Sequence, residues 1–159
     1  MKVVSIDPGT RNLGYAIWES GKGFTAFGSL DLFALCKDKK KRTDYPYLVK
    51  LLITQHHRIF HGLDLLLIEN QMQAKMKMIA CALRCFYFEK AKPISPLAVR
   101  KYLKTSCSNY RANKKASVDY VKTILPPKLF ARVNKSKKKD DISDALCILH
   151  YYLKKYELY

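Results

Sequence analysis

No stretch of the chain is apolar for long enough to cross a bilayer, and no secretory leader opens it. Met1 lies within three residues of what reads as a core strand, so no presequence is expected. Cysteine is sparse: there are five, at 36, 81, 85, 107 and 147, an odd number mostly in apolar segments. No pairs stand at zinc-finger spacing, although Cys81 and Cys85 are one helical turn apart. Free, buried thiols in a reducing intracellular compartment are therefore expected. The chain has no internal repeat, which excludes a solenoid.

Acids are the other shortage. Thirteen Asp and Glu face 30 Lys and Arg, a net charge of +17 over 159 residues. So large an excess favours a polyanionic partner, because each neutralised phosphate releases counterions. No long basic amphipathic helix dominates, which argues for nucleic acid rather than a membrane surface. Apolar residues make up 48% and aromatics 12%, enough for a packed core in one domain spanning 1–159.

Against that scarcity, the positions of a few acids stand out. VVSIDPGTRNLGYAIWE, residues 3–19, reads as strand, tight turn and strand, with Asp7 at the hairpin mouth. A carboxylate at the end of a buried strand must be paired or bound to a cation. Gly21 and Gly23 turn the chain into a third strand, about 24–33, followed by a basic loop over 36–44. Apolar spacing predicts a helix over 46–61. His57 and His61 share its face, but no acid or cysteine joins them, so no metal site is read there. LDLLLIEN, 63–70, suits a strand buried on both faces and ends at a second carboxylate, Glu69.

Residues 74–90 read as a helix with a core stripe of Met76, Ile79, Ala80, Leu83, Phe86 and Tyr87. A short strand at 92–96 and a short helix at 97–103 follow. Asn113 is a candidate N-cap for a helix that runs to Leu125 and stops at Pro126-Pro127. Lys114 and Lys115 would then sit in its first turn. The helix dipole disfavours cations there, so a bound phosphate is the expected reason for them. Residues 126–141 read as a mobile basic linker containing Arg132, Lys135, Lys137, Lys138 and Lys139. The last helix, 141–156, buries Ile142, Ala145, Leu146, Leu149 and Leu153. Asp141 and Asp144, at i and i+3, share the border of that stripe, where like charges need a cation between them.

This order of elements predicts an α/β fold: a mixed five-stranded sheet with helices on both faces. Its first and fourth strands can lie side by side, bringing Asp7 to Glu69, with Asp141 and Asp144 laid over the strand ends. Four hard oxygen donors suit Mg²⁺, with Mn²⁺ as a substitute, rather than zinc. In so basic a chain they point to metal-assisted phosphodiester hydrolysis.

IDPGTRNLGYAI, IEN at 68–70, NKKASVDYV and DDISDAL resemble the motifs of the RuvC family of Holliday junction resolvases, in the RNase H-like superfamily. Small size, basicity and the lysine run before the last acids are most similar to the viral, poxvirus-type branch. The resemblance implies a homodimer that nicks opposing strands of a four-way DNA junction symmetrically, leaving ends that ligase can reseal. It also implies two metal ions per active site, held by Asp7, Glu69, Asp141 and Asp144, with Asp7 bridging them. Bacterial relatives carry a junction-wedging aromatic just after the strand-end Glu. Met72 stands at that position here, flanked by Gln71 and Gln73. The expected DNA-facing set is Gln71, Met72, Lys75, Arg111, Lys114, Lys115, Lys135, Lys137, Lys138 and Lys139. For the viral branch the infected cell's cytoplasm is the expected location. Two other readings use the same residues: an RNase H-like nuclease acting on RNA or on flaps and forks, and a non-catalytic branched-DNA-binding protein. The four acids argue against the second, since a cluster of negative charge gains nothing in binding DNA.

Overall fold

The computed structural model describes residues 1–159. Five strands form one sheet: β1 (Lys2–Asp7), β2 (Leu13–Glu19), β3 (Gly23–Leu30), β4 (Leu65–Glu69) and β5 (Ala91–Ile94). Their order in space is β3-β2-β1-β4-β5. β1, β2 and β3 pair antiparallel, while β4 joins β1 and β5 joins β4 in parallel. The sheet is thus mixed, as expected. β1 lies at its centre, where Val3, Val4 and Ile6, β-branched residues suited to a strand, are fully buried.

Helices cover both faces. On one side lie α1 (Leu32–Leu35), α2 (Tyr45–Gln55), α3 (His57–Phe60) and α4 (Ala74–Phe86). On the other lie α5 (Pro96–Leu103), α6 (Tyr110–Ile124), α7 (Pro127–Lys135) and α8 (Lys139–Lys155). Each face has its own apolar core, divided by the alternation of side chains along β1. Val4 and Ile6 pack with Leu48, Leu52, Ile79 and Leu83, and Val3 packs with Leu146, Leu149 and Leu153 of α8.

Two contacts fix α8 on the sheet. The buried hydroxyl of Ser5 donates to the Ala145 carbonyl at 2.7 Å. Gly14 on β2 lies so close to α8 that a Cβ there would meet the Asp141 carbonyl oxygen at 2.2 Å. Only a residue without a side chain permits that approach, which brings the start of α8 over the end of β1.

Several boundaries differ from those the sequence suggests. β3 ends at Leu30, and Asp31 caps the single turn of α1. The basic 36–44 segment contains a 3₁₀ turn, Lys39–Thr43, with Asp38 as its cap. The expected 46–61 helix breaks at His56 into α2 and α3. In α4, Ile79 and Leu83 are buried as expected, but Phe86 is 52% exposed and Ala82 is buried. Only Cys36 and Cys147 are buried thiols; Cys81, Cys85 and Cys107 are exposed.

Two corrections bear on function. The cap of α6 is Asn109, whose side chain accepts from the Ala112 N–H at 2.9 Å. Asn113 instead accepts from the Cys107 N–H. Tyr110, Arg111 and Ala112 extend the helix backwards, so Lys114 and Lys115 leave its first turn and the argument for a phosphate at that terminus falls. The supposed mobile linker also folds. Pro127 opens α7, because proline suits the first helical turn as well as it stops a preceding helix. Val133 is fully buried there, and Leu129 and Phe130 pack against the core.

Candidate active site

β1 and β4 run parallel side by side, with Ile6 paired to Ile68, so their last residues, Asp7 and Glu69, emerge at one end of the sheet. The Gly14 contact sets the first turns of α8 over that end. Asp7, Glu69, Asp141 and Asp144 thus line one cleft of about 630 Å³. Its walls are the Pro8–Asn12 turn, residues 70–73 after β4, Arg100 of α5, and Tyr110, Asn113, Lys114 and Ser117 of α6.

The charges in the cleft are unevenly matched. Asp7 is buried, 7% exposed. Burial, and then the negative charges of Glu69 and Asp144, hold its pKa well above the ordinary carboxylate value. Burial also raises the pKa of Glu69, and that of Asp141 rises through burial and through Asp140 beside it. The main cation among them is Lys114. Its ammonium bonds Asp144 and stands 3.6 Å from Asp141 and 3.9 Å from Asp140. Burial opposes its charge, yet Asp144, Asp7 and Asp141 together raise its pKa. The charged position expected to want a phosphate is thus occupied with carboxylates. Gln71 fills the gap between the strand ends: its side-chain amide donates to Asp7 at 2.8 Å and also to Glu69.

The four acids share the cleft, but no three acidic, histidine or cysteine side chains stand close enough together to form a ready metal cage. The chemistry of the donors nevertheless fits a hard divalent ion. All are carboxylates, and Lys114, Arg100 and the Gln71 amide leave their mutual repulsion only partly offset. Mg²⁺ or Mn²⁺ held by Asp7, Glu69, Asp141 and Asp144 would relieve it.

The other expected residues spread out from the cleft. Met72 stands on its rim, 84% exposed. Lys75 is exposed at the start of α4, and Arg111 and Lys115 are exposed on α6. Lys135, Lys137, Lys138 and Lys139 are exposed around the α7–α8 turn. Gln71 points inward at the acids rather than outward. Sequence reasoning missed Arg100 and Tyr110. Nothing local to 96–103 marks Arg100, which reaches the cleft only through the placement of α5. Tyr110 was within reach: it lies at i−4 from Lys114, whose ammonium sits 5.7 Å from its ring centre.

The family model described as Poxvirus A22 protein matches residues 1–155. The chain belongs to that family. No curated protein matches it. Among solved structures it is similar to the fowlpox virus Holliday junction resolvase, at 20% identity and a TM-score of 0.69 over 98% of this chain and 99% of that one. The same values hold for that resolvase in complex with substrate Holliday junction DNA. Thermus thermophilus RuvC is similar at 15% identity and a TM-score of 0.54, over 98% and 97% of the two chains. These likenesses show the fold: this poxvirus A22 family member has the RNase H-like architecture of RuvC.

Proposed function

We propose that this A22 family protein is a structure-specific endodeoxyribonuclease that resolves four-way DNA junctions by paired symmetric nicks. The observation that carries the reading is the convergence of Asp7, Glu69, Asp141 and Asp144 on one cleft of a strongly basic chain. Membership of the family and a fold shared with junction-bound resolvases support the choice of substrate.

Asp7, Glu69, Asp141 and Asp144 would hold two Mg²⁺ ions, or Mn²⁺ in their place. Bound metal supplies an activated water and neutralises charge on the scissile phosphate and the leaving 3′-oxygen. The chain's own residues do the rest. Asp7, on the central strand, is the most rigid ligand. Lys114 orients Asp144 and Asp141 and holds positive charge beside the phosphate. Met72, on the rim, meets the exposed bases at the crossover; methionine suits such an irregular apolar contact. The exposed lysines at 135, 137, 138 and 139, with Lys75, Arg111 and Lys115, hold the DNA backbone.

Paired nicks need two sites, and α4 offers the surface for a homodimer. Ala74, Met78, Cys81, Cys85 and, just past the helix end, Phe88 are all exposed on its outer side. Their spacing of four, three, four and three is the repeat with which one helix packs along another. The stripe is centred on Cys81. Antiparallel pairing about that point sets the two α4 starts about 20 Å apart, each next to its own Glu69. Residues 1–159 act as one nuclease domain in this reading. No helix is long and apolar enough to cross a membrane. The place of action is the cytoplasm of an infected cell.

The deciding experiment compares labelled four-way junction, Y-fork, linear duplex and RNA–DNA hybrid with and without Mg²⁺. Symmetric, ligatable nicks in the junction alone establish a resolvase. Metal-dependent cutting of the hybrid, or of one fork strand, moves the enzyme to another nuclease class.

A further inference from the structure

The cleft is not the only built cationic feature. At the far end of α8, Lys155 donates to the Tyr151 hydroxyl at 3.0 Å. From the edge strand β5, Lys92 donates to the Tyr152 hydroxyl at 2.9 Å. Both ammonium groups also approach the ring of Tyr156, at 5.8 Å for Lys92 and 5.6 Å for Lys155. Tyr151 and Tyr152 are buried, so these anchors are part of the core rather than mobile surface groups. No acid forms an ion pair with either lysine. Two like charges are therefore held towards one ring with nothing between them to neutralise them.

Tyrosine contacts and edge protection account for where the two lysines sit, but not for two charges left without an acidic partner. A lysine and a proline on an edge strand guard against pairing with another chain, and Lys92 and Pro93 suffice for this. The second lysine, brought from a different element to the same ring, gains a cation–π contact there but leaves a second charge without an acidic partner, which an anion would satisfy. The surroundings agree. Residues 90–118 contain eight Lys and Arg and no acid. Arg100 of α5 lines the catalytic cleft, Lys101 and Lys104 beside it in sequence are exposed, and α5 packs Tyr102 against the Tyr151 ring at 5.3 Å. On the opposite side of the sheet, Glu19 and Asp31 are instead paired with Lys22 and Arg11.

Taken with the resolvase reading, on which it rests, we propose that this edge is a track for the backbone of one duplex arm of the junction, ending at the Lys92–Lys155 pair. Its lysines are held in place before DNA arrives, so less side-chain freedom is lost on binding. Lys155 lies fourteen residues along α8 from Asp141, about 20 Å at the helical rise. That distance corresponds to about six base pairs of duplex. Arms shorter than this end before the pair; longer arms reach it.

The test uses inactive Asp7→Asn protein and junctions whose hairpin-closed arms are either five or fifteen base pairs long. The protein is expected to bind the long-armed junction about tenfold more tightly, and a Lys92→Gln/Lys155→Gln variant to lose that gain. The variant's salt slope on long arms should fall by about two, with short-arm binding unchanged. In the otherwise wild-type enzyme, the same pair of substitutions should leave short-armed junctions cleaved at the normal rate. A Lys92→Arg/Lys155→Arg variant should keep the gain, which separates loss of charge from loss of packing. Equal weakening on both arm lengths, or an undiminished gain in the Gln variant, overturns the track. Failure of the parent protein to bind either junction overturns the resolvase reading and the track with it.

Discussion

The side-chain amide of Gln71 donates to Asp7 at 2.8 Å, and the same nitrogen reaches Glu69. It lies between the two strand-end acids, where an ion held by both would have to enter. A hydrogen bond to a charged acceptor contributes roughly 1.5–3 kcal/mol, and metal entry must displace two of them. Gln71→Ala should therefore raise Mn²⁺ affinity without DNA, by about fivefold, or roughly 1 kcal/mol, since some of the loss is recovered through solvent. Electron paramagnetic titration of free Mn²⁺ measures this directly. An unchanged affinity would mean that the amide swings aside at no cost.

Asp7→Asn keeps the shape of the side chain and an acceptor for Gln71 but removes the most buried negative charge. Cleavage should fall below detection while junction binding by gel shift stays within about twofold. Stability should move the other way. Asp7 has a raised pKa in the fold, so the metal-free folded state binds its proton more tightly than the unfolded chain does. Its contribution is favourable below the unfolded value and is lost as pH rises through the folded one. At neutral pH without metal, Asp7→Asn should melt a few degrees higher than wild type, and the difference should vanish in acid. A lower melting temperature at neutral pH would show that the charge is already compensated.

The parts of the site legible in the sequence are those that local pattern dictates. A β-branched run ending in Asp7, a buried run ending in Glu69 and a DxxD on an apolar-striped helix each announce themselves within about ten residues. The parallel pairing of β1 with β4 then follows from the order of elements. What stayed hidden depends on contacts between distant segments. Gln71 looks like a DNA-facing loop residue until the strand ends close around it. Arg100 enters the cleft only because α5 returns over the sheet. The odd placement of a cation at Lys114 shows in the sequence, but its partner does not: the helix begins earlier, and carboxylates about thirty residues away take the charge. Pro126-Pro127 marked a true boundary yet concealed that the second proline opens α7.

If α4 forms the dimer seam, its stripe is centred at Cys81, and the two copies of that thiol face each other across the two-fold. Mild oxidation should then produce a disulfide-linked dimer on non-reducing gels, lost in Cys81→Ser and retained in Cys85→Ser. Met78→Asp, which puts a charge in the seam, should shift the protein towards monomer by sedimentation, weakening dimerisation by about 2 kcal/mol or more. Cross-linking through Cys107 instead would place the dimer face elsewhere, and through Cys85 instead would move the register of the pairing along α4.

His150 gives a pH response independent of metal. It is half-buried on α8, hydrogen-bonded to the Tyr159 phenol, with the rings of Tyr120 and Tyr159 beside it. Burial, and then the charge of Lys154, lower its pKa from 6.5 to about 4. Between those values the unfolded chain takes up a proton that the folded protein refuses. The contribution is therefore fully present above pH 6.5 and is lost as pH falls towards 4. Partial exposure reduces it to about 1–2 kcal/mol. The acids of the cleft titrate in the opposite sense over part of this range, so the total stability of wild type does not isolate His150. The difference between wild type and His150→Gln does, because the cleft is common to both. Urea melts should show wild type losing about 1 kcal/mol relative to the variant between pH 7 and pH 4.5. A constant difference across that interval would mean that the imidazole is free to charge in the folded protein, and that the Tyr159 contact opens at no cost.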